Sequence, residues 1–398
     1  MAQQERACGR VSEVFWSFLV LGLTSFGGPV AHLGYFRTAF VERRQWLTEQ
    51  AYADLVALCQ FLPGPVSSQV GFALGLLRAG PWGAAMAWLA FTLPSAIVLV
   101  LFAFGAAVLD GPVASGIIHG LKVVAVAIVA HAVWGMARHL CPDTIRAGIA
   151  LFAVLAVVLV SGVVGQVVAI VLGGVAGLLL CRESAVATAD GALQFPVSRL
   201  AGMLALGLFV ALLVLLPLLA GSAAWLAVVD AFYRSGALVF GGGHVVLPLL
   251  EAEVVQSGWL TADEFVAGYG AAQGVPGPLF TFAAYVGALL PDMNRVVGAL
   301  LALVAIFIPG FLLLVGVLPF WNHFRQWGSA QAIMRGANAA VVGILGAALY
   351  QPVWTSAIIG PYEFALALTG FLLLTVWKLP AWMVVLVVAL GGIVIPPQ

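Results

Sequence analysis

An all-α polytopic membrane protein built from two homologous repeats is the fold that this sequence predicts, and three observations predict it. Of its 398 residues, 63% are hydrophobic and only 8% charged, with a mean hydropathy of +1.12. A soluble domain carries about 25% charged residues, so this chain cannot cover a water-facing surface and its excess apolar area must face hydrocarbon. Apolar stretches recur at lengths of about 20 residues, enough for a helix to cross a core about 30 Å thick. The alternation of a transmembrane β-barrel, in segments of roughly ten residues, is missing. Finally, short motifs return in the same order at a nearly constant offset, which is the signature of a duplicated unit.

Apolar runs and polar breaks predict helices over 13–36, 81–109, 114–139, 143–160 and 163–181. In the second half they predict helices over 199–220, 223–250, 294–318, 331–350, 354–376 and 379–396. The opening stretch MAQQERACGRVSEVFWSFLVLG starts polar and has no small-residue cleavage site, so it reads as the start of the first helix rather than as a signal peptide. Two regions, 51–80 and 261–290, are each cut in the middle by a proline pair. The stretch RESAVATADGALQFPVS, 182–198, is polar and small and reads as an exposed linker. It separates a first repeat over 1–181 from a second over 199–398, which has one extra leading helix.

The repetition is specific. Phe26, Gly27 and Gly28 return as Phe240, Gly241 and Gly242. WLT at 46–48 returns at 259–261, and Q-x-x-P-G-P at 60–65 returns at 273–278, both at an offset of 213 (259 − 46 and 273 − 60). The loop FRTAFVERRQW carries Arg37, Arg43 and Arg44, whereas its counterpart LLEAEVVQSGW has no Lys or Arg and holds Glu251 and Glu253. The positive-inside rule makes the first loop cytoplasmic and leaves nothing to hold the second there. The copies therefore read as inverted, provided that 51–80 crosses the bilayer as one broken helix; a re-entrant loop there would leave them parallel.

Pro63, Gly64 and Pro65 deny the helix its donors and its geometry at this point. Non-helical backbone at membrane depth persists only where protein or a watery cavity satisfies it. A helix restarting after Pro65 would offer the N–H groups of Val66, Ser67 and Ser68, with two hydroxyls, as an anion site. Pro276, Gly277 and Pro278 would do the same for Leu279, Phe280 and Thr281, so that two broken helices meet near the bilayer midplane. The plainer reading of each break is a kink that serves packing. Gln60 and Gln273 precede the breaks by three residues and offer amide donors, or merely bridge helices. The FGG segments permit close backbone approach and unusual dihedrals.

Lys122 and Arg335 are cations inside apolar helices at the same offset (335 − 122 = 213), which points to the substrate pathway, with Asn338 one turn further on. Anchoring of helix ends by snorkelling is the alternative. Arg234 has no partner at that offset and reads as an anchor. His244 and Glu251 are the titratable groups best suited to proton coupling. His119 and His131 lack neighbouring ligands, H-E-x-x-H is missing, and Cys8, Cys59, Cys141 and Cys181 are scattered, so neither metal nor disulfide is expected. With zero net charge and no basic run, nucleic acid is not an expected partner. No nucleophile–base spacing or cofactor motif marks an enzyme.

The segments FGGPVAHLGYF, WLTEQAYADLVALCQFLPGPVSSQ, FGGGHVVLPLLEAEVVQSGWLTADEFVAGYGAAQGVPGPLFTFAAYVGALL, IFIPGFLLLVGVLPFW and RGANAAVVGILGAALYQPVW resemble the chromate ion transporter family. The resemblance covers both halves and implies a multi-pass permease of the bacterial inner membrane. It implies export of chromate driven by the proton gradient, with chromate resistance as the outcome. Half-length members act in pairs, in keeping with the duplication; a homodimer of this chain is compatible with both. One departure is FGGP in the first copy against FGGG in the second, which sets Pro29 apart. Chromate and sulfate are tetrahedral dianions that only accept hydrogen bonds, so a wall of donors suits both and disfavours hydrogen phosphate. A passive anion channel would share these features without coupled protons.

Overall fold

The computed structural model describes residues 9–106, 111–160, 162–181, 195–291, 293–321 and 327–394, and none of these forms a strand. Residues 1–8 and most of the expected linker, 182–194, lie outside that set. The first repeat runs α1 (Val11–Thr24), α2 (Gly28–Phe36), α3 (Glu49–Phe61), α4 (Val66–Ala106), α5 (Pro112–Leu140), α6 (Thr144–Leu159) and α7 (Val163–Leu180). After α8 (Arg199–Leu219) the second runs α9 (Ala224–Ala237), α10 (Val246–Val254), α11 (Ala262–Gln273), α12 (Phe282–Leu289) and α13 (Arg295–Val317). It ends with α14 (Gly328–Ala348), α15 (Pro361–Thr375) and α16 (Ala381–Val394).

The helices match in order. Both ends of α1 map onto α9 at the motif offset of 213 (224 − 11 and 237 − 24). Ala79 and Gly80 leave helical geometry inside α4, so it is two helices end to end, matching α12 and α13. WLT repeats for a local reason. Thr48 caps α3 by accepting from the Ala51 N–H, and Thr261 caps α11 reciprocally with Glu264.

Among the described residues, six helical segments are long and apolar enough to cross a membrane: Val66–Ala106, Pro112–Leu140, Val163–Leu180, Arg199–Ser222, Arg295–Phe320 and Gly328–Ala357. α8 packs on α9 and α13 and leaves Leu200, Leu204, Leu208 and Leu218 exposed, a face fit for lipid.

Three expected helices are interrupted: 354–376 breaks between Ala357 and Pro361, and two break at FGG. The spans 13–36 and 223–250 each break at FGG, because Gly27 and Gly28 hold φ of +103° and +79°, and Gly241 and Gly242 hold +72° and +145°. A side chain in left-handed geometry costs about 1–2 kcal/mol per residue, so a glycine pair here ends the helix. Each repeat is thus broken twice, once at FGG and again between α3 and α4 or between α11 and α12.

The repeats are not side by side. The α6–α7 hairpin of the first repeat packs on α14 of the second, and the α15–α16 hairpin of the second packs on α5 of the first. Small residues allow the approach. A Cβ on Gly177 would meet the Ala332 carbonyl at 2.3 Å, and one on Gly120 would meet the Val388 carbonyl at 2.6 Å. This exchange brings the breaks of both repeats together.

Candidate functional site

The proline–glycine–proline turns cross between repeats. Gly64 N–H donates to the Val239 carbonyl at 2.8 Å, and Gly277 N–H donates to the Ser25 carbonyl at 2.9 Å. Ser25 and Val239 are the residues just before each FGG. Reciprocal contacts of this kind relate two units by a dyad. The turns also meet the mid-helix prolines of the opposite repeat. A Cβ on Gly64 would lie 3.0 Å from Gly310 Cα, and one on Gly277 would lie 2.8 Å from Ser95 Oγ. Gly310 and Ser95 each follow a helical proline, Pro309 and Pro94.

The first crossing is tied down by side chains that the sequence did not single out. Gln69 donates from Nε2 to the carbonyls of Pro63 and Gly310, both at 3.0 Å. His32 lies 3.2 Å from the Ser25 carbonyl through Nε2 and 3.3 Å from Ser67 Oγ through Nδ1. A carbonyl only accepts, so Nε2 carries the hydrogen and Nδ1 accepts from the Ser67 hydroxyl. Ser68 Oγ is buried with no hydrogen-bond partner. In the second copy the Thr281 hydroxyl donates back to the Pro278 carbonyl at 2.8 Å.

Beside the second crossing lies a cavity of about 590 Å³. Its walls come from both repeats. The first supplies Phe26, Gly27 and Gly28 with Ala31 and Tyr35, plus Ile128 and His131 of α5. The second supplies His244, Ala272, Gln273, Gly277 and Leu279, with Thr375 and the link Lys378–Ala381 between α15 and α16. The polar side chains in this wall are a lysine, two histidines, an amide, a threonine and a tyrosine, with no Asp or Glu among the described residues. His244 Nδ1 is 2.8 Å from the Tyr269 hydroxyl. With the phenol, the stronger donor, giving its hydrogen to Nδ1, Nε2 of His244 would carry the imidazole hydrogen. Gln273 Nε2 is buried near Tyr269 without a hydrogen bond of good geometry, an amide donor left for something else to satisfy. Such a surface offers donors and positive charge to an anion and, among the described residues, no carboxylate to accept from a proton-bearing ligand.

Of the residues singled out from the sequence, Phe26, Gly27, Gly28, His244, Gln273 and Gly277 come together in this wall. Gln60 is exposed, and Pro63, Gly64, Pro65, Ser67 and Ser68 belong to the first crossing rather than to the cavity. The paired cations stand elsewhere. Lys122 Nζ is 3.1 Å from Asp263 Oδ1, at the start of α11. Arg335 donates from Nη1 to the Cys181 carbonyl at 2.9 Å, just past the end of α7. Each cation thus reaches from its own repeat to an element of the other. Arg234 pairs with Asp230 on its own helix at 2.8 Å and ties α9 to α10 through Glu253 at 3.0 Å. Glu251 accepts from Gln256 at 3.1 Å and does not line the cavity. Asn338 Oδ1 is buried without a partner, close to where a Cβ on Gly241 would fall, at 3.6 Å. Sequence reasoning passed over His131 as a histidine without neighbouring ligands and did not single out Tyr35, Thr375 or Lys378, since no spacing in the chain encodes the exchange of hairpins that brings α5 and the α15–α16 link to one cavity.

A sequence profile described as "Chromate transporter" matches residues 12–178 and 226–393, leaving α8 between the two parts. The chain is 28% identical over 391 residues to a "Probable chromate transport protein" of Synechococcus elongatus, covering 95% of this chain and 93% of that one. It is 27% identical over 393 residues to a "Chromate transport protein" of Pseudomonas aeruginosa, covering 95% and 90%. An uncharacterised transporter of Bacillus subtilis is 30% identical over 175 residues, with 94% of its length matched by only 42% of this chain. No solved structure matches. Two copies of one helical unit, crossed through their glycine breaks and each matched by the same profile, make this chain a member of the chromate transporter family.

Proposed function

We propose that the protein is a secondary transporter of chromate that exports it from the cytoplasm across the bacterial inner membrane, with coupling to the proton gradient. The observation that carries this reading is the donor-lined, carboxylate-free cavity between the two repeats. The names of the chromate transport relatives point to the same substrate. Outward movement of a dianion is favoured by an inside-negative potential, by about 2.3 kcal/mol per charge per 100 mV, or about 4.6 kcal/mol for chromate. Of the two titratable candidates, His244 stands in the cavity wall and Glu251 does not, so His244 is the better placed to carry a proton. Sulfate has chromate's shape and charge and should compete, whereas hydrogen phosphate brings an O–H that finds no carboxylate acceptor in this wall.

Chromate flux in proteoliposomes, measured at fixed membrane potential with and without a pH gradient, tests the reading. Flux that rises with the imposed gradient and is inhibited by sulfate is expected. Flux indifferent to the gradient would make the protein a passive channel, and no flux would remove chromate as substrate.

The division into repeats over 1–181 and 199–398, with α8 as the second repeat's extra leading helix, is part of the same proposal. So is their inversion, supported by Arg37, Arg43 and Arg44 in the first loop against no Lys or Arg in its counterpart. With the native cysteines replaced by serine, Thr38→Cys and Gln256→Cys should label from opposite sides of the membrane in intact cells. Labelling of both from one side would make the repeats parallel.

A further inference from the structure

We propose that Lys378 is the residue that draws the tetrahedral dianion into the cavity and holds it there, with His131, His244 and Gln273 meeting its oxygens from the rest of the wall; this rests on reading the cavity as the anion chamber. The chain contains two lysines, Lys122 and Lys378. Lys122 is committed to Asp263. Lys378 is exposed in the cavity wall, is the only Lys or Arg there, and has no carboxylate within ion-pair reach among the described residues. A cation of this kind sits where an incoming anion would first meet the wall, and nothing inside the protein competes for it.

The backbone adds a second, independent observation. Lys378 holds φ of +54°, and among the described residues only Gln45 shares a positive φ without being glycine. Left-handed geometry suits glycine or asparagine, and a long cationic side chain there is disfavoured by the fold itself. Strained positions of this sort gather at ligand clamps. The link then turns directly into α16, whose first residue, Ala381, also lines the cavity. The first bond inside α16 is donated by Met383 to the Pro380 carbonyl at 3.0 Å, so the N–H groups of Ala381 and Trp382 have no acceptor within the helix. Lysine and helix start therefore add their positive charge at one place.

The arrangement is also one-sided. The matching link of the first repeat, VSG at 160–162 before α7, contains no cation. Two repeats therefore build one anion site, and the chain should bind one dianion rather than two.

Binding of radiolabelled sulfate, and of chromate by competition, to the purified full-length chain at fixed ionic strength tests this. Wild type should bind one dianion per chain. Lys378→Gln should weaken binding by about tenfold to a hundredfold, the loss expected for a charge-assisted contact. Lys378→Arg should restore most of it. Lys378→Gly should raise the thermal midpoint by relieving the left-handed strain and yet bind as poorly as Lys378→Gln, which separates binding from folding. Lys378→Gln or Lys378→Gly binding as tightly as wild type overturns this inference alone. Wild type that binds neither anion overturns the chamber reading, and this inference with it.

Discussion

Replacing Gly64 by alanine should lower the thermal unfolding midpoint of the purified protein sharply, and replacing Gly277 should lower it less. Both residues hold positive φ, +123° and +105°, and both donate the N–H groups that cross between repeats. A Cβ in left-handed geometry costs about 1–2 kcal/mol, and overpacking adds about 1–3 kcal/mol. The two positions differ in what the new methyl meets. At Gly64 it meets Gln69 Nε2 at 2.9 Å and Gly310 Cα at 3.0 Å, and the Gln69 amide is already holding two carbonyls. At Gly277 it meets Ser95 Oγ at 2.8 Å, which can rotate away at the loss of its bond to the Thr92 carbonyl, and Ser95 Cβ and the Phe91 carbonyl only at 3.2 and 3.3 Å. The larger loss therefore falls on Gly64. Unfolding followed by intrinsic fluorescence in detergent reads both, and a wild-type midpoint in Gly64→Ala would mean that the crossing is loose.

Gln273→Ala should reduce chromate transport by about tenfold or more, whereas Gln60→Ala should leave it within about twofold. The two glutamines are equivalent by sequence offset, but Gln273 offers an unsatisfied amide in the cavity wall and Gln60 is exposed outside it. A hydrogen bond to a charged ligand contributes about 1.5–3 kcal/mol, which is about one to two decades in affinity. Initial rates in proteoliposomes, corrected for protein incorporated, provide the comparison. Equal losses at both positions would show that the sequence symmetry, and not the cavity, governs the site.

Much of the architecture was legible in the residues because repetition and hydropathy act locally. The offset carried by WLT and Q-x-x-P-G-P is the offset by which α1 becomes α9. FGG was legible as an unusual dihedral but not as the end of a helix, since apolar residues run through it on both sides and hide the interruption. The site was harder to see. Lys122 and Arg335 share the motif offset and sit in apolar helices, so they resembled pathway cations until α5 and α14 were found to receive hairpins from the opposite repeat. That exchange converts both into ties between repeats. It also carries His131 and Lys378, from parts of the chain far apart, to the same cavity. No periodicity or spacing encodes it, because it arises from which small-residue face packs against which.

Chromate flux through Ala31→Trp is the most direct measure of whether the dianion travels through this cavity. Ala31 lines the wall contributed by the first repeat and is only partly buried, so an indole can enter the open space without displacing the core. Folded, membrane-inserted Ala31→Trp in proteoliposomes is expected to lose chromate flux almost completely while keeping the wild-type unfolding midpoint. Wild-type flux from that folded variant would place the anion path elsewhere in the molecule.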